Sequence, residues 1–186
     1  MNDKPTLILI PNYIGNFESK IDDKGRVYLP ATLRNIIGER NKYNLMSDDI
    51  EVIKDRTGIH VLTLKGIPFA AVSPNKITEK DSIDTSTIDD IIYLSKGTLS
   101  NSAPDFRSEE PNRLFMYSCI DAQRMLMDEN WGDSGFASSD YRTIKIDGYG
   151  RIQLNPLEKQ IIISESNNLT ITCHPLFLCA TITKRN

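Results

Sequence analysis

A short pattern that occurs twice constrains the fold of this chain more than any other sequence feature. Both copies contain Ile-Asp-x-x-Gly-Arg-[Val/Ile]-x-Leu, at residues 21–29 and again at 146–154. A Pro follows each copy, and a basic residue stands eight positions after each Arg, namely Arg34 and Lys159. Two copies in the same setting predict an internal duplication of one structural unit.

Each copy has the pattern of a strand, a tight turn, a second strand and a short helix. The first turn runs from Asp22 to Gly25, where Asp accepts backbone hydrogen bonds and Gly tolerates positive φ. Polar and apolar residues alternate from 26 to 29, as in a half-buried strand. Pro30 and the apolar residues 33, 36 and 37 predict a helix that ends at Gly38.

These motifs resemble the MraZ family, whose members hold two SpoVT-AbrB-type half-domains marked by Asp-x-x-x-Arg. The first copy fits the family pattern closely, and residues 15–18 (Gly-Asn-Phe-Glu) resemble the usual start of the family. The second copy departs from the pattern, because Tyr149 stands where Lys is usual and Pro156 comes one residue late. The matched motifs cover about a quarter of the chain.

The resemblance implies a β-rich α+β fold in which two SpoVT-AbrB-like swapped-hairpin half-domains pair within one chain, with connector helices. We expect an N-terminal extension at 1–14, the first half at 15–66, a helical and loop connector with an insertion at 67–140, and the second half at 141–186. The predicted strands after the motifs are 50–53, 60–64, 169–173 and 176–182, and the predicted connector helices are 86–94 and 111–128.

Three further segments have simpler interpretations. Residues 6–10 form either an added edge strand or part of a poorly ordered tail, and residues 99–110 have the composition of a mobile loop. The loop around Trp131 is an insertion whose Trp packs on the core or at a subunit contact.

The turn residues carry the candidate site. From the residues alone, Asp22 and Asp147 lock their turns by pairing with the Arg four positions later. For Arg34 and Lys159 the simpler interpretation is a solvated helix face or an ion pair, and Lys20 is a weaker candidate for a phosphate contact. The DNA-binding residues that the resemblance implies are Lys24, Gly25, Arg26, Tyr149, Gly150 and Arg151.

Composition limits the other possibilities. The net charge of −3 and pI of about 5.4 argue against a strongly basic nucleic-acid binder, although a symmetric assembly can still gather cations on one face. Three cysteines without a Cys-x-x-Cys pair indicate reduced thiols in the cytoplasm. No catalytic or metal-binding motif is present, so we expect no enzyme activity, no cofactor and no metal.

The resemblance therefore implies a cytoplasmic, nucleoid-associated transcriptional regulator. It would bind double-stranded promoter DNA of the division and cell-wall gene cluster as a ring-like homo-oligomer, without a membrane or small-molecule partner. Two alternatives remain. One is a diverged oligomeric interaction module with weak or no DNA binding, and the other is an antitoxin-like AbrB relative.

Overall fold

The computed structural model describes residues 11–45, 50–54, 60–64, 67–72, 90–100, 103–119, 121–122, 125, 135–136, 139, 141–163 and 165–185. The predicted strand at 6–10 and Trp131 lie outside these residues. Within the described residues, no helix is long and apolar enough to span a membrane.

The chain has an α+β fold that is rich in antiparallel strands, as predicted. Its two described α-helices are α1 (Ala31–Leu45) and α2 (Pro156–Ile162), and a 3₁₀ turn spans Pro175–Phe177. The strands are β1 (Asn16–Lys20), β2 (Arg26–Tyr28), β3 (Ile50–Lys54), β4 (His60–Leu64), β5 (Ile67–Val72), β6 (Ile91–Leu99), β7 (Pro104–Asp105), β8 (Arg113–Tyr117), β9 (Arg142–Lys145), β10 (Arg151–Gln153), β11 (Asn168–His174) and β12 (Cys179–Lys184).

Three sheets are formed by the described strands. The largest has the order β1-β11-β12-β8-β6-β7, and β9 also pairs with β6. Strands β2 and β10 form a separate two-stranded ribbon, and β3, β4 and β5 form a third sheet. All of these pairs are antiparallel.

The centre of the large sheet is buried on both faces. Along β6, Ile92 and Leu94 face one hydrophobic core, while Ile91 and Tyr93 face a second, largely aromatic core. The neighbouring strand β8 alternates in the same way between the two cores. A strand covered on both faces loses the polar and apolar alternation that marks a half-buried strand.

Helix α1 is longer than predicted, because Gly38 lies inside it rather than at its end. The buried face continues past Gly38 through two polar residues, Arg40 and Asn41. Asn41 donates from Nδ2 to the carbonyl oxygen of Ile91 and accepts from the backbone N–H of Cys119. These hydrogen bonds tie α1 to β6 and to the segment that follows β8.

The two predicted connector helices are wrong over much of their length. Residues 91–94 belong to β6, and residues 113–117 belong to β8, although Cys119, Asp121, Ala122 and Met125 have helical backbone. Residues 86–89 lie outside the described part of the chain. Short apolar runs fit a helix and a buried strand equally well, so pairing within the sheet decided the outcome. The expected loop at 99–110 contains β7.

The strands predicted at 50–53 and 60–64 are present, but they pair with each other and with β5 rather than joining the large sheet. Strands β6 and β8 join the large sheet instead, within the region expected to be a helical and loop connector. The second half matches its predicted strands more closely, except that a 3₁₀ turn precedes Cys179. The domain boundaries stay a prediction.

Candidate nucleic-acid interface

The first motif turn is closed by the carboxylate of Asp22. Its Oδ1 accepts from the backbone N–H groups of Lys24 and Arg26, each at 2.9 Å. Its Oδ2 accepts from Nε of Arg26 at 2.7 Å. The backbone hydrogen bond from Arg26 and its guanidinium hold the pKa of Asp22 below its usual value, so the carboxylate stays ionised in this turn.

The second turn repeats this arrangement. Oδ1 of Asp147 accepts from the backbone N–H groups of Tyr149 and Arg151 at 2.9 Å each, and Oδ2 accepts from Nε of Arg151 at 2.8 Å. Desolvation acts to raise the pKa of Asp147, but the hydrogen bonds from Arg151 outweigh it and the pKa is lowered. The same carboxylate raises the pKa of the Arg151 guanidinium. Each predicted Asp and Arg is therefore in contact within its own turn.

Each turn also needs its glycine. Gly25 and Gly150 have φ of +76° and +79°, which residues with a β-carbon rarely adopt. Space is a second requirement, because a β-carbon on Gly25 would lie 2.2 Å from Cε of Lys159. A β-carbon on Gly150 would lie 2.8 Å from Cζ of Arg34. The placement is crossed. Lys159, on the helix after the second turn, covers Gly25 of the first turn, and Arg34, on the helix after the first turn, covers Gly150 of the second turn.

The backbones of the two motifs also exchange hydrogen bonds. The N–H of Leu29 donates to the carbonyl oxygen of Gly150 at 2.8 Å, and the N–H of Leu154 donates to that of Gly25 at 3.0 Å. The extra residue before Pro156 is Asn155, which caps α2 by accepting from the N–H of Glu158. Each turn is therefore held at its own end of the ribbon by the segment that follows the strand of the other motif.

One face of the β2–β10 ribbon is available to solvent. Val27 and Ile152 pair at its centre and are fully buried. The residues on the outer face form two cross-strand pairs, Arg26 with Gln153 at one end and Tyr28 with Arg151 at the other.

The two ends of this face differ in chemistry. At the first end, the side chain of Lys24 is exposed, and Nε2 of Gln153 donates to the backbone carbonyl oxygen of Lys24 at 2.8 Å. At the second end, the guanidinium carbon of Arg151 lies 4.8 Å from the ring centre of Tyr149 and 5.8 Å from that of Tyr28. The Tyr149 side chain is 79% exposed.

Sequence reasoning assigned Arg34 and Lys159 to a solvated helix face or an ion pair, but the structure places both side chains on the turn glycines. Arg34 also donates from Nε to the carbonyl oxygen of Leu29 at 3.1 Å. Their matched position, eight residues after the Arg of each motif, was the available signal. Lys20 lines a shallow groove beside the first turn, together with Asp23 and Tyr28.

Comparison with known proteins adds no assignment, since the chain matches no family model and no curated protein. In the described residues, no three His, Cys, Asp or Glu side chains are grouped as they would be around a metal ion.

Proposed function

We propose that the protein is a sequence-specific DNA-binding regulator of transcription, and that the paired turns of the ribbon contact double-stranded DNA. The observation that carries this proposal is the crossed placement of Arg34 and Lys159 over Gly150 and Gly25. It brings cations from both halves of the chain onto one ribbon, so a chain with net charge −3 gains a locally basic surface. Lysine and arginine at close range are what phosphate oxygens require.

The proposed fold is a pair of SpoVT-AbrB-like half-domains with swapped hairpins. Strand pairing supports it, because β1 pairs with β11 in the same antiparallel manner as β9 pairs with β6. Glu18 of β1 and Thr143 of β9 correspond, because each lies four residues before the Asp of its motif. Glu18 lies opposite Thr170 on β11, and Thr143 lies opposite Tyr93 on β6. The proposed first half departs from the predicted boundary at residue 66, because it contains β1, β2, α1, β6 and β8, with the sheet β3–β5 as an insertion within it.

Self-association is part of the same proposal. Leu157 and Ile163 of the α2 segment are 59% and 48% exposed, and Leu176 is 89% exposed. In this proposal these side chains contact a neighbouring subunit. A homo-oligomer, ring-like as in the MraZ family, would present several ribbons to one operator, so weak binding per subunit would add up through avidity. Location at the nucleoid and action on the promoter of the division and cell-wall gene cluster follow from the family resemblance.

The test is fluorescence anisotropy with a duplex from the protein's own upstream region and a scrambled duplex, over a salt series. We choose Lys24→Ala and Lys159→Ala, because neither side chain closes a turn. Each should weaken binding and reduce the slope of log K against log salt by about 0.9 for each phosphate that the variant no longer neutralises. Lys184→Ala is the matched control, since this exposed lysine lies on β12, outside the ribbon and its turns.

A second candidate function is an oligomeric interaction module without DNA binding, which the exposed Leu157, Ile163 and Leu176 favour. A folded, oligomeric wild-type protein that ignores both duplexes would support this module and end the DNA proposal.

A further inference from the structure

The two arginines of the motifs differ in their access to a ligand. The side chain of Arg26 is 27% exposed, whereas that of Arg151 is 15% exposed. Arg151 is covered because its guanidinium lies near the rings of both Tyr149 and Tyr28, while its Nε is held by Asp147. At the second end of the ribbon, solvent therefore meets tyrosine rings rather than the guanidinium of Arg151.

Tyr149 is the more exposed of the two tyrosines at that end, at 79% against 47% for Tyr28. The guanidinium at 4.8 Å from its ring centre gives a cation–π contact, which stabilises the ring in one place on the turn. Asp147 fixes Arg151 in turn through Nε. Arg151 is thus a positioning residue for Tyr149, and the aromatic ring is the group that a ligand would touch.

We propose that the two turns contact duplex DNA through different chemistry. The first turn holds phosphate through Lys24 and Lys159. The second turn, at the opposite end of the ribbon, lays the ring of Tyr149 against the apolar face of a deoxyribose. This inference rests on the DNA-binding function proposed above. The choice of DNA as the occupant rests on charge complementarity, because Arg34 lies on Gly150, next to Tyr149, and Lys159 lies on Gly25 at the opposite end of the same ribbon.

Salt dependence separates the two kinds of contact. A lysine bound to phosphate releases counterions, so its removal changes the salt slope of binding. A neutral ring packed on a sugar releases no counterion, so its removal changes the affinity at every salt concentration by the same factor. The two turns should therefore give different signatures in one titration series.

The experiment measures anisotropy of wild type, Lys24→Ala, Tyr149→Ala, Tyr149→Phe and Arg151→Ala on the upstream duplex over a salt series. We expect Tyr149→Ala to lower affinity about threefold to tenfold with an unchanged slope. Tyr149→Phe should bind like wild type, because the ring face is kept. Arg151→Ala should behave like Tyr149→Ala, since its role is to hold the ring. Circular dichroism establishes that each variant is folded.

Three outcomes would overturn the inference while leaving the proposed function intact: a Tyr149→Ala variant that binds like wild type, a changed slope in Arg151→Ala, or a Tyr149→Phe variant as weak as Tyr149→Ala. The second would make Arg151 a phosphate contact, and the third would make the phenol oxygen the contact. If wild type binds no duplex at all, the proposed function fails, and this inference fails with it.

Discussion

Arg40 of α1 and Asp121 form a bidentate ion pair, with Nε 2.8 Å from Oδ2 and Nη2 2.5 Å from Oδ1. The two side chains are only 2% and 1% exposed. Tyr13 and Ser118 also donate hydrogen bonds to this carboxylate, so it joins the start of the described chain to α1 and to the segment after β8.

Removal of one partner from this pair should be costly, because the other charge is then buried without compensation. We expect Asp121→Ala to lower the free energy of unfolding by about 3–5 kcal/mol, measured by urea denaturation. The matched control is Glu18→Ala, which removes the exposed pair of Glu18 with Arg185 and should cost at most about 1 kcal/mol. Equal losses of stability in the two variants would contradict this assignment.

The turn glycines give a second prediction. Gly25→Ala and Gly150→Ala should each destabilise the protein by about 1–2 kcal/mol through backbone strain at positive φ. The loss of stability should be larger still because the new β-carbon displaces Lys159 or Arg34. The double variant Gly25→Ala, Lys159→Ala should regain only the part of the lost stability that comes from crowding between the new β-carbon and Lys159, and not the part that comes from backbone strain. Gly148→Ala is the control, since a β-carbon there meets no heavy atom within 4 Å. Thermal unfolding measures all four variants, and a Gly148→Ala destabilisation as large as that of Gly150→Ala would refute the argument.

Stability should depend on pH through the two turn carboxylates. Their pKa values are lowered in the folded protein, so it binds these protons more weakly than the unfolded chain does. The stability that the two carboxylates contribute is fully present above the unfolded-state pKa of about 3.9. It is lost as the pH falls through their lower folded-state pKa values.

The double variant Asp22→Asn, Asp147→Asn should therefore show a shallower decrease of the free energy of unfolding below pH 4 than wild type does. Denaturant titrations from pH 5 to pH 2 measure this slope. Asp23→Asn is the control, because the hydrogen bonds that close the described turn go to Asp22 instead. A double variant as sensitive to acid as wild type would rule out these carboxylates as the source.

The cysteines should be unreactive in the folded protein. Burial raises the pKa of Cys173 to about 11 and that of Cys179 to about 12, and it also raises the pKa of Cys119. Few thiolates are then present at pH 8, and thiolate is the reactive form. A chromogenic disulfide reagent should modify the native protein slowly, with Cys173 first, and should modify all three thiols at once in guanidinium chloride. Fast modification of native protein would contradict the buried placement.

The elements that sequence reasoning located correctly are those fixed by neighbouring residues. The turn at Asp22 and the turn at Asp147 depend on groups within four positions, so the motif alone defines them. The start of α2 is equally local, because Asn155 and Pro156 provide its cap and its first residue.

The failures concern distant partners. The residues from Ile91 to Leu94 are buried because β8 and β9 flank them in the sheet, and no local pattern reveals those partners. The burial of Arg40 depends on Asp121, which is 81 positions away. The candidate site also depends on distant partners. The motif positions show that Arg34 and Lys159 correspond, but they give no sign that each side chain lies on the glycine of the other turn.

The pairing of residues 26–28 with 151–153 has a consequence for biosynthesis. At synthesis rates of about 5–20 residues per second, roughly ten seconds pass between emergence of the first turn and of the strand that completes its ribbon. During that time the first basic turn has neither its partner strand nor Lys159 over Gly25. A truncated translation product that stops before residue 151 therefore contains one complete motif but no ribbon, so under the proposed function we expect it to bind no DNA.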